Sequence, residues 1–156
     1  MNPYQGTKDH PHHISVGVIL INDKNEVACH YYAEPKIRNY PQNFYTLLHE
    51  SVEAGETLEQ TATRGMKEEY SMKGTFERYV GSVVTHFHRE EQKVEKTVLY
   101  FLCKLISIDE VRDLTCPESI SEIKWLEVDE LIKLMKAQGE DDESKILEDV
   151  KRFYLK

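Results

Sequence analysis

The 156-residue sequence is poor in cysteine, glycine and proline, and it has no surplus of positive charge. Its three cysteines, Cys29, Cys103 and Cys116, are widely spaced and contain no C-x-x-C pair, which excludes a disulfide framework and a cysteine-based zinc site. Two of them sit in apolar runs, as expected of reduced thiols in a cytoplasmic protein. The sequence has no Gly/Ser-rich or Pro-rich linker and no internal repeat, so one domain over residues 1–156 is expected. "MNPYQGTKDHPHH" lacks the apolar core of a secretion signal, and residues 1–12 read as a flexible N-terminal segment. No apolar run reaches membrane-spanning length, and no membrane partner is expected. With 20 Lys and Arg against 28 Asp and Glu, the net charge of −8 argues against nucleic-acid polymers, whose binding depends on cationic side chains displacing counterions. Small phosphorylated ligands stay open, because a metal held by the surplus carboxylates would carry the positive charge they need.

What is present is a series of apolar runs with clear periods. "HISVGVILI" (13–21) reads as a buried strand, "NDKN" as a turn, "EVACHYY" (26–32) as its hairpin partner and "NFYTLLHE" (43–50) as a third strand. Pro35 and Pro41 bracket a loop between the last two. Thr57 and Gln60 form the T-x-x-Q capping pattern, so a helix is expected over about 58–72, with Gly74 as its left-handed terminator. The long runs at 76–88 and 94–108 flank the polar "REEQK" and predict a second hairpin. "EIKWLEV" (122–128) predicts a short strand, and 129–138 and 143–155 predict two C-terminal helices. The fold class is therefore α/β: a mixed β-sheet covered by helices on both faces.

The acidic residues concentrate in "HESVEAGETLEQTATRGMKEEYSM" (49–72), where Glu50, Glu53, Glu56, Glu59, Glu68 and Glu69 surround a single arginine, Arg64. A run of charge is ordinarily a solvated helix face. Two features point elsewhere: Glu68 and Glu69 are adjacent, and Arg64 lies one turn before Glu68 in a helix fed by a strand and a Gly-containing loop.

The spacing Glu56, Arg64, Met66, Glu68, Glu69, Met72 resembles the signature of the Nudix hydrolases, G-x5-E-x7-R-E-U-x-E-E-x-G-U with U apolar. Six of the nine fixed positions match without gaps, and the order of strands and helices from about His12 onward is similar to the Nudix α/β/α sandwich. The resemblance implies a metal-dependent pyrophosphohydrolase that cleaves the diphosphate linkage of a nucleotide-like small molecule by attack of water at phosphorus. It implies magnesium or manganese as cofactor, with Glu68, Glu69 and Glu56 as the metal-side carboxylates, to which Glu50 is added as a candidate by its place at the mouth of the box. Glu68 and Glu69 would be ligands, Arg64 would orient Glu68, and Glu56 would also stabilise the loop through Arg64. Magnesium suits such a set, since it takes oxygen ligands and can be held by one or two carboxylates plus substrate phosphates.

The sequence departs from the pattern at three positions. Glu50 replaces the first glycine, Gly65 the glutamate after the arginine, and Ser71 the last glycine. Gly65 removes a carboxylate that serves many family members as ligand or base. Either Glu50 or His49 replaces it, or Gly65 serves only to let another segment pack against the helix. A second reading follows: a Nudix-like domain with impaired catalysis that binds a nucleotide or a partner as a sensor. The general base is expected outside the box, at Glu122 first and Glu118 next, with Glu90, Glu91 and Glu95 on the other hairpin behind them. His86 and His88 alternate along one strand, and hard magnesium would not favour their imidazoles. Tyr40, Phe44 and Tyr45 would either stack on a nucleobase or pack in the core.

Overall fold

The computed structural model describes residues 2–34, 42–115, 117–139 and 142–155. Pro35, Tyr40, Pro41 and Cys116 lie outside the described residues. Among the described residues, seven strands form one mixed sheet: β1 (His12–Ile21), β2 (Glu26–Tyr32), β3 (Phe44–Thr46), β4 (Leu48–Ser51), β5 (Met72–Arg89), β6 (Gln92–Ile108) and β7 (Glu122–Glu127). The main path runs β3-β2-β1-β6-β5. β1 and β6 are parallel over ten residue pairs, and the other pairings are antiparallel.

The third predicted strand is two. Phe44–Thr46 pairs with His30–Tyr32 of β2, and after Leu47 the chain switches partner, so that Leu48–Ser51 pairs with Val18–Ser15 of β1. β1 and β2 meet only at their hairpin end, Ile21 opposite Val27, and the fork between them admits β4. The hairpin predicted around "REEQK" closes more tightly than its composition implies. Glu90 and Glu91 both take positive φ (48° and 68°), the two-residue geometry that matches strand twist.

The helix starts at Leu58 behind Thr57, whose side chain accepts from Gln60 N while Gln60 reciprocates at the Thr57 N–H. It runs as an α-helix, α1 (Leu58–Gly65), and continues as a π turn over Met66–Tyr70. The terminator is Ser71, at φ 54° and ψ 43°, and not Gly74. Gly74 lies inside β5, where an added Cβ would come within 2.8 Å of Leu20 and 2.9 Å of the Met66 sulfur, so its small size serves packing. The glycine of the box pattern at position 71 thus corresponds to a left-handed residue. Ser71 tolerates it while its Oγ accepts from Asp113 N at 2.8 Å.

α2 (Val128–Ala137) and α3 (Asp142–Tyr154) cover the opposite face of the sheet. Two cores result. Ile19, Ile21, Cys29, Leu47, Tyr100, Leu131 and Leu147 pack beneath α2 and α3, while Val16, Val18, Leu20, Leu48, Ala62, Met66, Tyr70 and Cys103 pack beneath the box helix. The alternation of β1, with Val16, Val18 and Leu20 on one face and Ile19 and Ile21 on the other, is what a sheet buried on both sides requires. Cys29 and Cys103 are buried free thiols. N-terminal residues also reach the sheet: Asn2 donates to Val52 O at 2.9 Å and Ile14 N donates to Tyr4 O at 2.7 Å. Among the described residues, no helix is long and apolar enough to cross a membrane.

Candidate active site

Arg64 is the hub of the acidic segment. α1 and its capped start bring the guanidinium over the preceding loop, where Nε donates to Glu56 Oε2 at 2.9 Å and NH2 donates to Glu56 Oε1 at 3.0 Å. NH2 also donates to the Ser51 carbonyl at 2.7 Å, tying β4 to the helix. NH1 faces Glu50 at 3.1 Å, Glu68 at 3.4 Å and Glu53 at 3.9 Å. Glu56 is saturated, since its Oε1 accepts from Glu53 N and Thr61 Oγ1, each at 3.0 Å, in addition to Arg64. The forked bond from Arg64 is the main reason that its carboxyl is held down at about 2. This network gives Glu56 the loop-bracing role that the resemblance implies, and it commits both oxygens to it.

Glu50 is held differently. Burial pushes its carboxyl up to about 7, the Glu69 charge adds to the rise, and Arg64 offsets only part of it. Glu68 is half exposed beside it. Gly65 has ordinary helical dihedrals, φ −60° and ψ −45°, so its backbone conformation does not require glycine. What requires it is space, because an added Cβ would meet Leu48 Cδ2 at 2.9 Å and Glu50 Cβ at 3.0 Å. Gly65 is the contact that lets β4 lie against the helix.

Glu69 turns inward. Within the π turn it is 4% exposed, and its Oε1 lies 2.9 Å from His30 Nε2. The other nitrogen of His30 lies 2.6 Å from Ser121 Oγ. Arg112 closes the network, donating to the carbonyls of Ser121, Glu118 (2.9 Å) and Glu69 (3.3 Å) and to Ser121 Oγ (3.0 Å). The loop carrying the two base candidates is thereby stitched to the corner of the box that holds Glu69. Glu118 is buried in it and Glu122 is exposed at the start of β7. Among the described residues, no three His, Cys, Asp or Glu side chains stand grouped as a ready metal cage. Glu50 and Glu68 lean on Arg64, and Glu69 leans on His30.

β4 divides the site. Leu48 and Glu50 face the helix, whereas His49 and Ser51 line a cleft of about 690 Å³ on the other side, between β5 and the C-terminal helices. Phe44, Tyr45, Tyr100 and Met135 supply apolar wall, and His86, His88, Arg89 and Lys96 a basic one. The structure therefore brings together Arg64 with Glu50, Glu56 and Glu68, and sets His86 and His88 apart from them on the cleft side.

Sequence reasoning missed Arg112, His30 and Glu143. His30 gave no signal in an apolar strand, although it holds Glu69 across 39 residues. Glu143 is the acceptor of a buried cluster: its Oε1 accepts from Leu47 N and Thr46 Oγ1, each at 3.0 Å, and its Oε2 takes Tyr100 OH at 2.8 Å and His49 Nε2 at 2.5 Å. Its partners lie between 43 and 97 residues away in sequence, so no local pattern reveals it.

Comparison with known proteins agrees with this architecture. A family model described as NUDIX domain matches residues 11–150. Among solved structures, a NUDIX hydrolase from Nitrosomonas europaea superposes with a TM-score of 0.67 at 18% identity, covering 89% of this chain and 88% of that one. A MutT protein from Methanosarcina mazei gives 0.62 at 20% identity, covering 94% and 97%. A Caenorhabditis elegans Ap4A hydrolase binary complex gives 0.62 at 20% identity, covering 90% and 96%. No curated protein matches the chain. At these identities the superpositions speak for the fold, and the family model, which spans most of the sequence, shows that the chain belongs to the NUDIX domain family.

Proposed function

We propose that this chain is a divalent-metal-dependent pyrophosphohydrolase that cleaves the diphosphate linkage of a small nucleotide-like substrate by attack of water at phosphorus. The observation that carries the reading is the convergence on Arg64 of Glu50, Glu56 and Glu68, with Glu69 close enough to raise the Glu50 carboxyl. The donors are all carboxylate oxygens, the type that magnesium and manganese take, and since Glu50 and Glu68 face Arg64 while Glu69 faces His30, binding the ion would draw them towards one another. Glu50, Glu68 and Glu69 would hold the ion, which when bound supplies charge neutralisation for the phosphate oxygens and the leaving group.

The chain's own residues do the rest. Arg64 and Glu56 lock the loop and β4 to the helix, so the carboxylates are positioned before substrate arrives. Glu122, or Glu118 beside it, takes the proton of the attacking water, from a loop that Arg112 and Ser121 tie to the Glu69 corner. The cleft beyond His49 and Ser51 receives the organic part of the substrate, with Tyr45 and Phe44 as aromatic wall.

The test is phosphate release, coupled to added pyrophosphatase and phosphatase, from nucleoside triphosphates, nucleotide sugars and dinucleoside polyphosphates with magnesium or manganese. Wild type should turn over at least one class, and Glu69→Gln should lose it. The bond from His30 to Glu69 favours one second reading, a nucleotide-binding sensor with impaired catalysis, because that carboxylate is already engaged. Metal and nucleotide binding without turnover across the panel would decide for the sensor.

A further inference from the structure

The box pattern places a glycine at position 50 and a glutamate at position 65, whereas here the glutamate is Glu50 and the glycine is Gly65. The two positions touch: a Cβ on Gly65 would stand 3.0 Å from Glu50 Cβ and 3.4 Å from Glu50 Cγ. We propose that glycine and carboxylate have changed places across the contact between β4 and α1, so that Glu50 delivers from the strand the metal-facing carboxylate that the pattern takes from the helix. The inference rests on the metal-dependent reading above and names the residue that completes its ligand set.

Three observations carry it. Gly65 costs an interior helix position about 1 kcal/mol relative to alanine, and its dihedrals give no conformational reason for it. The space it leaves is filled by the Glu50 stem and by Leu48, so the loss of a side chain at 65 and the gain of one at 50 occupy one volume. The direction of Glu50 is fixed by the sheet, since it pairs with Val16 while its neighbours His49 and Ser51 turn to the cleft. That direction brings it to the same Arg64 nitrogen as Glu68, at 3.1 and 3.4 Å. A side chain serving only to fill space beside Leu48 would be apolar. This one is a half-buried carboxylate that faces Arg64 beside Glu68.

The experiment is Mn²⁺ titration of the full chain followed by electron paramagnetic resonance of the free ion, with thermal melts in parallel, for wild type, Glu50→Gln, Gly65→Glu, the double exchange Glu50→Gly with Gly65→Glu, and Glu50→Gly with Gly65→Ala. Glu50→Gln should weaken Mn²⁺ by about tenfold or more while the fold melts as in wild type. Gly65→Glu should melt lower, because two side chains compete for one space. The double exchange should recover both the melting temperature and most of the affinity, and the Gly/Ala pair should recover the first without the second. Wild-type affinity in Glu50→Gln would overturn the exchange and leave the enzyme reading standing, as would a folded double exchange that binds no better than the Gly/Ala pair. A wild type that binds no Mn²⁺ would overturn the metal-dependent reading and the exchange with it. If the double exchange fails to fold, Glu50→Gln decides alone.

Discussion

Glu143→Gln isolates one charge in the wall between the candidate site and the C-terminal helices. The carboxylate ties α3 to the corner where β3 ends and β4 begins, through Leu47 N, Thr46, Tyr100 and His49. Burial alone would raise its pKa, but the charge and hydrogen bond of His49, the Leu47 amide and the Tyr100 hydroxyl outweigh it and hold the carboxyl at about 2. Against an ordinary value of 4.5, that difference corresponds to about 3 kcal/mol of stability at neutral pH. The folded value lies below the unfolded one, so this contribution is complete above about pH 4.5 and is lost as pH falls towards 2. Glutamine keeps the shape and an oxygen for Leu47 but turns an amide donor towards His49 and Tyr100, which are themselves donors to the carboxylate. Urea unfolding followed by circular dichroism should therefore show Glu143→Gln less stable by about 3 kcal/mol at pH 7, equivalent to about 6–12 °C in Tm for a chain of this size. At pH 3 the gap should shrink to somewhat over 1 kcal/mol, roughly the remainder that linkage leaves. A gap below about 1 kcal/mol at pH 7, or one that stays constant down to pH 3, would refute the assignment of a buried, ionised clamp.

Other outcomes follow from the same network. Arg64→Lys keeps the charge, but one ammonium cannot fork onto Glu56 and also reach the Ser51 carbonyl, so urea unfolding should show a loss of about 2 kcal/mol. His13 is buried and pushed down to about 4 by that burial and by Lys96 and Arg89. Its folded value is below its unfolded one, so stability is full above about pH 6.5 and falls by about 3 kcal/mol towards pH 4, and His13→Gln should flatten that part of the pH–stability curve. Ser71→Ala keeps the left-handed strain and loses the bond from Asp113 N, costing about 1 kcal/mol in urea unfolding, whereas Ser71→Gly trades that bond for relief of strain and should stay within about 0.5 kcal/mol of wild type.

The parts of the protein that local chemistry controls were legible in its sequence. The apolar periods of residues 13–21, 26–32, 76–88 and 94–108 become strands, and the Thr57 and Gln60 cap starts the box helix at Leu58 as its pattern requires. The spacing of Glu56, Arg64 and Glu68 likewise places them on one helix and its preceding loop, within reach of each other. The break at Leu47 was not legible, because a change of strand partner leaves no mark in the apolar period of residues 43–50. Nor was the terminator: both Ser71 and Gly74 are available, and the choice depends on Asp113 reaching Ser71 and on Leu20 and Met66 crowding Gly74.

Residue type and local spacing by themselves thus determined the strands, the capped helix and the arginine-centred carboxylates, since each depends on neighbours within about two helical turns or one hairpin. Tertiary structure alone decided what those carboxylates face. It buries Glu69 against His30, sets Glu50 into the space of Gly65, and closes Glu143 over His49 and Tyr100, across as many as 97 residues of chain. Burial and long-range charge, which set whether a carboxylate is held at about 2 or pushed to about 7, exist only once the sheet has brought those partners together.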